Sequence, residues 1–232
     1  MVELALIGAT GVLSLGFAAW LVRWVLARPS LSEPAAVRLA AAVRISGERF
    51  SRRLSGVIGA LVALLGGMLF LAYGLYAGTR DTVAPLRLGV WITLSLLLGG
   101  GGVLAAARVA TFVGGRAPLR VAAGARRSVD LALQIAMRGG AAVGLATEAL
   151  ATLLLGALAF GALFEASGFG AEPSRGLASV PHLPLLLSGY ALGACFAALL
   201  VQFGGAAFAK AADVGADVAA REHALADDAE AN

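Results

Sequence analysis

Lys210, Asp213 and Asp217 stand at i, i+3 and i+7 within the stretch QFGGAAFAKAADVGAD, Gln202 to Asp217. On a helix that spacing puts one ammonium and two carboxylates on a single stripe. Two carboxylates can hold Mg²⁺ while an ammonium meets phosphate oxygens, so the trio carries the chemistry of phosphate binding. Spacing alone leaves a second reading open, that of ordinary interfacial charges snorkelling at the end of a membrane helix.

The element that must position them is a long apolar run. From Leu183 to Ala209 there is no Asp, Glu, Lys or Arg, and at about 1.5 Å per residue such a run exceeds the roughly 30 Å hydrocarbon core of a bilayer. Four more charge-poor segments are long enough to span: Leu4 to Val22, Leu54 to Thr79, Leu88 to Ala107, and Gly139 to Phe164. With 59% apolar residues and a mean hydropathy of +0.87, the expected fold class is all-α, a polytopic transmembrane bundle of five spanning helices. The first segment follows Glu3 and lacks a basic n-region and a cleavage site, so it reads as a retained helix.

Arginines mark the topology. The first loop holds Arg23, Arg28, Arg38, Arg44, Arg49, Arg52 and Arg53, and the third holds Arg108, Arg116, Arg120, Arg126 and Arg127, while the alternate loops hold only Arg80, Arg87 and Arg175. The positive-inside rule then places the N-terminus outside and the chain from Lys210 onward in the cytoplasm. The net charge of +4 is a topology signal and points to no nucleic-acid partner, since no aromatic residues interleave with the arginines. The expected location is a prokaryotic inner or plasma membrane, with the bilayer as first partner.

Other features are expected to be structural. Ser32 to Arg53 reads as a helix lying at the cytoplasmic surface, Ala166 to Pro184 as an irregular loop, and Arg221 to Asn232 as a fraying acidic tail. Residues 1–217 then form the bundle and 218–232 the tail. Gly66-Gly67, Gly99 to Gly102, Gly139-Gly140 and Gly204-Gly205 fall inside spans, which predicts close helix packing. Cys195 is expected as a small packing residue, and His182 and His223 as solvent-exposed. The Gly8-Ala9-Thr10-Gly11 turn with Gly16 lacks the βαβ setting of a dinucleotide fingerprint.

FAKAADVGAD, Phe208 to Asp217, closely resembles the F/Y-T-K-A-A-D-V-G-A-D segment of the membrane-integral pyrophosphatases, the pyrophosphate-energised proton or sodium pumps. LSGYALGACFAALLVQFGG, Leu187 to Gly205, is similar to the helix that leads into that segment, and ALQIAMRGGAAVGL, Ala132 to Leu145, to the family's A-L-x-x-A-F-R-G-G-A-V-M-G-L. A patch from Arg108-Val109-Ala110 to Arg120-Val121-Ala122 precedes it. The resemblance runs from about residue 85 onward and thins before that to matches such as Phe50 and Arg53.

The resemblance implies that Lys210 contacts phosphate and that Asp213 and Asp217 bind substrate through Mg²⁺. It also implies pyrophosphate as substrate once a second half is supplied, and a homo-oligomer as a further partner. Two positions depart from the pattern. Gln202 stands where the family has a gate arginine, and a neutral amide cannot make that residue's bidentate ion pair. Glu148 places a carboxylate near mid-membrane, where the family is apolar; it is expected to face the bundle interior in protonated form, unless sequence drift explains it. The family's later aspartate-rich helix and lysine clusters do not follow Asp217, so the chain is expected to be a fragment or split half, inactive alone. The alternative is a non-catalytic scaffold derived from the same family.

Overall fold

In hydrocarbon every backbone N–H and C=O must be satisfied within its own segment, so apolar runs of this length fold as helices. The structure, a computed structural model, describes residues 2–76, 85–167 and 182–222. Among the described residues six α-helices follow in chain order: α1 (Val2–Leu26), α2 (Pro34–Leu71), α3 (Pro85–Gly114), α4 (Pro118–Ala125), α5 (Val129–Ser167) and α6 (Leu183–Glu222). A π-helical turn, Ala72–Tyr76, continues α2. No strand occurs among the described residues. Five of the helical stretches are long and apolar enough to cross a membrane, and the protein is a multi-pass integral membrane protein.

Local chemistry sets the helix starts. Pro34 and Pro118 occupy first-turn positions of α2 and α4, where a missing N–H leaves nothing unsatisfied. The Leu131 N–H donates to Ser128 Oγ at 3.1 Å, capping α5, and Asp130 adds a carboxylate to that first turn.

The bundle is organised around α3, which packs against α2, α5 and α6, while α1 lies along α5. Leu88, Ile92 and Leu96 recur every fourth residue on α3 and are buried against Leu158 of α5, Leu186 and Tyr190 of α6, and Ile58 and Val62 of α2. Glycine brings α3 and α6 close enough for backbone contact. A β-carbon on Gly99 would run into the Tyr190 carbonyl, and one on Gly193 into the Leu96 carbonyl. Buried Ser95 adds a hydrogen bond, its hydroxyl donating to the Leu186 carbonyl.

Several expectations are corrected. Ser32 to Arg53 is no separate surface helix: from Pro34 it runs unbroken into the second span, because no proline interrupts the stretch and Gly47 packs against the Phe208 ring. The short helix α4 was not expected. Ala166 and Ser167 close α5 and Leu183 and Pro184 open α6, so the loop between them is shorter at both ends than expected. Residues 168–181 of that loop, Thr79, and the tail from His223 lie outside the described residues. Arg221 and Glu222 belong to α6. The Gly8 to Gly11 turn is helical within α1, with Thr10 Oγ1 donating to the Leu6 carbonyl at 2.9 Å.

Candidate functional site

Helix α6 has two faces of opposite character. Leu186, Tyr190, Gly193 and Ala197 are buried, and Val201, Gly204 and Phe208 continue the same stripe at half-buried positions. Phe208 anchors the far end: its ring stacks on Phe50 of α2, centroids 5.4 Å apart and planes at 28°. Gly204 lies against the Leu54 side chain.

At about 100° per residue, Gln202, Lys210, Asp213 and Asp217 fall within roughly 80° of one another and lie across the helix from that packed stripe. All four are exposed. The structure therefore brings the predicted residues to one face, and no other described element covers it. Neither Lys210 nor the two aspartates forms a side-chain hydrogen bond or ion pair with the described residues. Phe208 is the positioning residue that sequence reading passed over. Its signal was available, since an aromatic two residues before Lys210 points to nearly the opposite side of the helix.

A cleft of about 320 Å³ opens between α2, α3 and α6, lined by Phe50, Leu54, Thr111, Gly205 and Phe208 among others. It is largely apolar and lies on the packed side of α6, away from Lys210. Thr111 Oγ1 donates to Ser51 Oγ at 3.2 Å across it, and Arg116 pairs with Glu48 at 3.4 Å nearby.

Among the described residues no three His, Cys, Asp or Glu side chains converge on a metal-sized space. Asp213 and Asp217, one turn apart and exposed, offer hard oxygen donors of the kind Mg²⁺ takes when water and phosphate complete its shell. The donor set fits half of such a site.

Glu148 does not face the bundle interior. It is exposed on α5, because the inner side of that helix is built from Ala142 and Ala146, which are buried on the other side. Thr147 beside it is also exposed and donates back to the Val143 carbonyl at 2.9 Å. Cys195 is likewise no packing residue; it is exposed on the same side of α6 as Gln202. His182 is half-buried, and its carbonyl accepts the Leu186 N–H at 3.1 Å.

A sequence profile of the family described as "Inorganic H+ pyrophosphatase" matches residues 12–232. The chain is 34% identical over 226 residues to pyrophosphate-energized membrane proton pump 3 of Arabidopsis thaliana, covering 94% of this chain and 27% of that protein. It is 44% identical over 116 residues to K(+)-insensitive pyrophosphate-energized proton pump 2 of Moorella thermoacetica, covering 50% of this chain and 15% of that protein. It is 28% identical over 227 residues to the putative K(+)-stimulated pyrophosphate-energized sodium pump of Bacteroides thetaiotaomicron, covering 94% and 28%. No solved structure matches the chain. It spans about a quarter of the length of the curated relatives that it matches along most of its own length. The chain belongs to the inorganic H+ pyrophosphatase family.

Proposed function

We propose that this chain is the N-terminal five-helix part of a pyrophosphate-energised ion pump, and that it contributes Lys210, Asp213 and Asp217 to Mg²⁺-pyrophosphate binding. The supporting observation is the exposed stripe on α6, where the three charges lie together on the face that the bundle leaves open. Lys210 holds a fixed positive charge for phosphate oxygens, and Asp213 and Asp217 would hold Mg²⁺, which when bound neutralises substrate charge. The rigid α6 carries all three at the end of a membrane span, so events at the phosphate can be felt along the helix. In this reading α1 lies with its N-terminus outside, and the charged end of α6 lies in the cytoplasm.

Three groups on one helix do not enclose a substrate, so the chain alone is inactive and works as one portion of the pump that moves protons or sodium. Gln202 on the same exposed stripe favours a second reading, a scaffold that keeps the helices without the transport step.

The test is Mg²⁺-dependent pyrophosphate hydrolysis in membranes holding the chain alone, and in membranes where it is coexpressed with the remaining helices of a relative. Hydrolysis only on coexpression, abolished by Asp213→Ala, supports the pump portion. Absence of hydrolysis in both, with a stable complex formed, supports the scaffold. Hydrolysis by the chain alone overturns both.

A further inference from the structure

The connection between α1 and α2 is tied to α4, with the Leu31 N–H donating to the Leu119 carbonyl at 3.0 Å. A cleft of about 240 Å³ remains between these elements and the start of α5. Arg28, Arg120, Arg126 and Arg127 line it above an apolar floor that includes Leu131 and Ile135. No carboxylate is among the described residues that line it.

Arg28, Arg120 and Arg127 form no ion pair with a carboxylate among the described residues, whereas Arg126 Nη2 donates to Glu33 Oε2 at 2.7 Å. Arg120 donates to the backbone carbonyls of Leu26 and Arg116 and so keeps its full charge. Arg28 lies over the Trp24 ring at 3.8 Å and shares that ring with Arg138, also at 3.8 Å. Its Nε is buried without a hydrogen-bond partner among the described residues. A buried guanidinium N–H with no acceptor is unfavourable, and two guanidiniums on one indole raise the local positive potential further. An anion with several acceptor oxygens would satisfy this arrangement.

Position narrows the anion's source. The charge-poor run of α1 ends at Val22 and the helix itself at Leu26, just before Arg28, and Trp20 and Trp24 mark that end as the kind of interface where aromatic rings meet headgroups. Basic pockets between membrane helices at this depth suit phospholipid headgroups. The apolar floor suits glycerol and the first acyl carbons.

We propose that the cleft lined by Arg28, Arg120, Arg126 and Arg127 is a binding site for a phosphate group, supplied by an anionic phospholipid headgroup. Guanidiniums grip the phosphate oxygens through paired N–H donors, which a lysine cannot reproduce, and a zwitterionic headgroup adds to the same phosphate an ammonium that the arginines repel. The site lies on the α1–α2 connection, α4 with the turn after it, and the start of α5, and is independent of the proposed pyrophosphate stripe on α6.

The experiment measures thermal melting of the delipidated full chain in neutral detergent, titrated with phosphatidylglycerol, phosphatidylcholine, inorganic phosphate or pyrophosphate. For the wild type a saturable rise in melting temperature is expected with phosphatidylglycerol and none with phosphatidylcholine. Arg127→Gln, at an exposed position without packing duties, should weaken the phosphatidylglycerol effect about fivefold, and Arg28→Gln about tenfold. Arg52→Gln removes an exposed charge from α2 outside the cleft and should leave it unchanged. If Arg28→Gln does not fold, Arg127→Gln against Arg52→Gln still decides. A saturable effect of inorganic phosphate or pyrophosphate alone, lost in Arg127→Gln, upholds the phosphate site and overturns the lipid source. Equal loss in Arg127→Gln and Arg52→Gln, or no anion effect at all, overturns the proposal.

Discussion

Phe208 stacks on Phe50 with ring centroids 5.4 Å apart, and Lys210, two residues on, is turned out of the bundle by that contact. The same side-chain packing that seats α6 on α2 therefore aims the charged stripe into the open.

Removing the anchor should loosen the end of α6 without touching the charges. Phe208→Ala is expected to destabilise the chain by about 1–2 kcal/mol, since the ring is half-buried and loses both area and stacking. Thermal melting in lipid nanodiscs checks this. Lys210→Met and Asp217→Asn should change stability by less than about 0.5 kcal/mol, as exposed groups without partners.

In a complemented pump the order reverses. Lys210→Met, Asp213→Ala and Asp217→Ala should each lower pyrophosphate hydrolysis by about a hundredfold or more, the scale set by losing one electrostatic contact in a reacting site. A steady-state assay at saturating Mg²⁺, alongside unchanged melting of each variant, is the measurement. Activity within about threefold of wild type for all three would remove them from the site.

Glycines along α3 and α6 are not equivalent. Gly193→Val, whose side chain would enter the Leu96 carbonyl, and Gly99→Leu, against Tyr190, should separate α3 from α6 and cost about 3 kcal/mol or more. Gly101 has open space around its missing β-carbon, so Gly101→Ala should be neutral or stabilising by up to about 1 kcal/mol. Melting curves and size-exclusion profiles of the purified variants distinguish them.

Exposure along α5 and α6 can be read by labelling. In a Cys195→Ser background, which removes an exposed thiol, Glu148→Cys should react with a membrane-permeant maleimide while Ala146→Cys, at a buried position, should not. Lys210→Cys should react with an impermeant reagent from the cytoplasmic side only. Reaction from the opposite side would invert the topology.

The number of helices long and apolar enough to span could be read from the sequence, because apolar length against bilayer thickness is a one-dimensional property. Lys210, Asp213 and Asp217 were equally legible, since helical periodicity alone puts them on one stripe. Continuity of Pro34 to Leu71 was not, because basic residues along Arg38 to Arg53 suggest a change of environment that the backbone does not make. Which way each helix turns its faces was decided by tertiary packing. In a soluble protein the apolar face would reveal it, but lipid is as apolar as the core, and residues as hydrophobic as Leu13, Met137 and Phe203 stay 72%, 66% and 73% exposed. Hence Glu148 and Cys195 could not be placed in advance, and the arginines around Arg28 read as mere topology markers. Only the folded chain shows that α6 packs one side through Gly193, Ala197 and the half-buried Phe208, and leaves the charged side exposed.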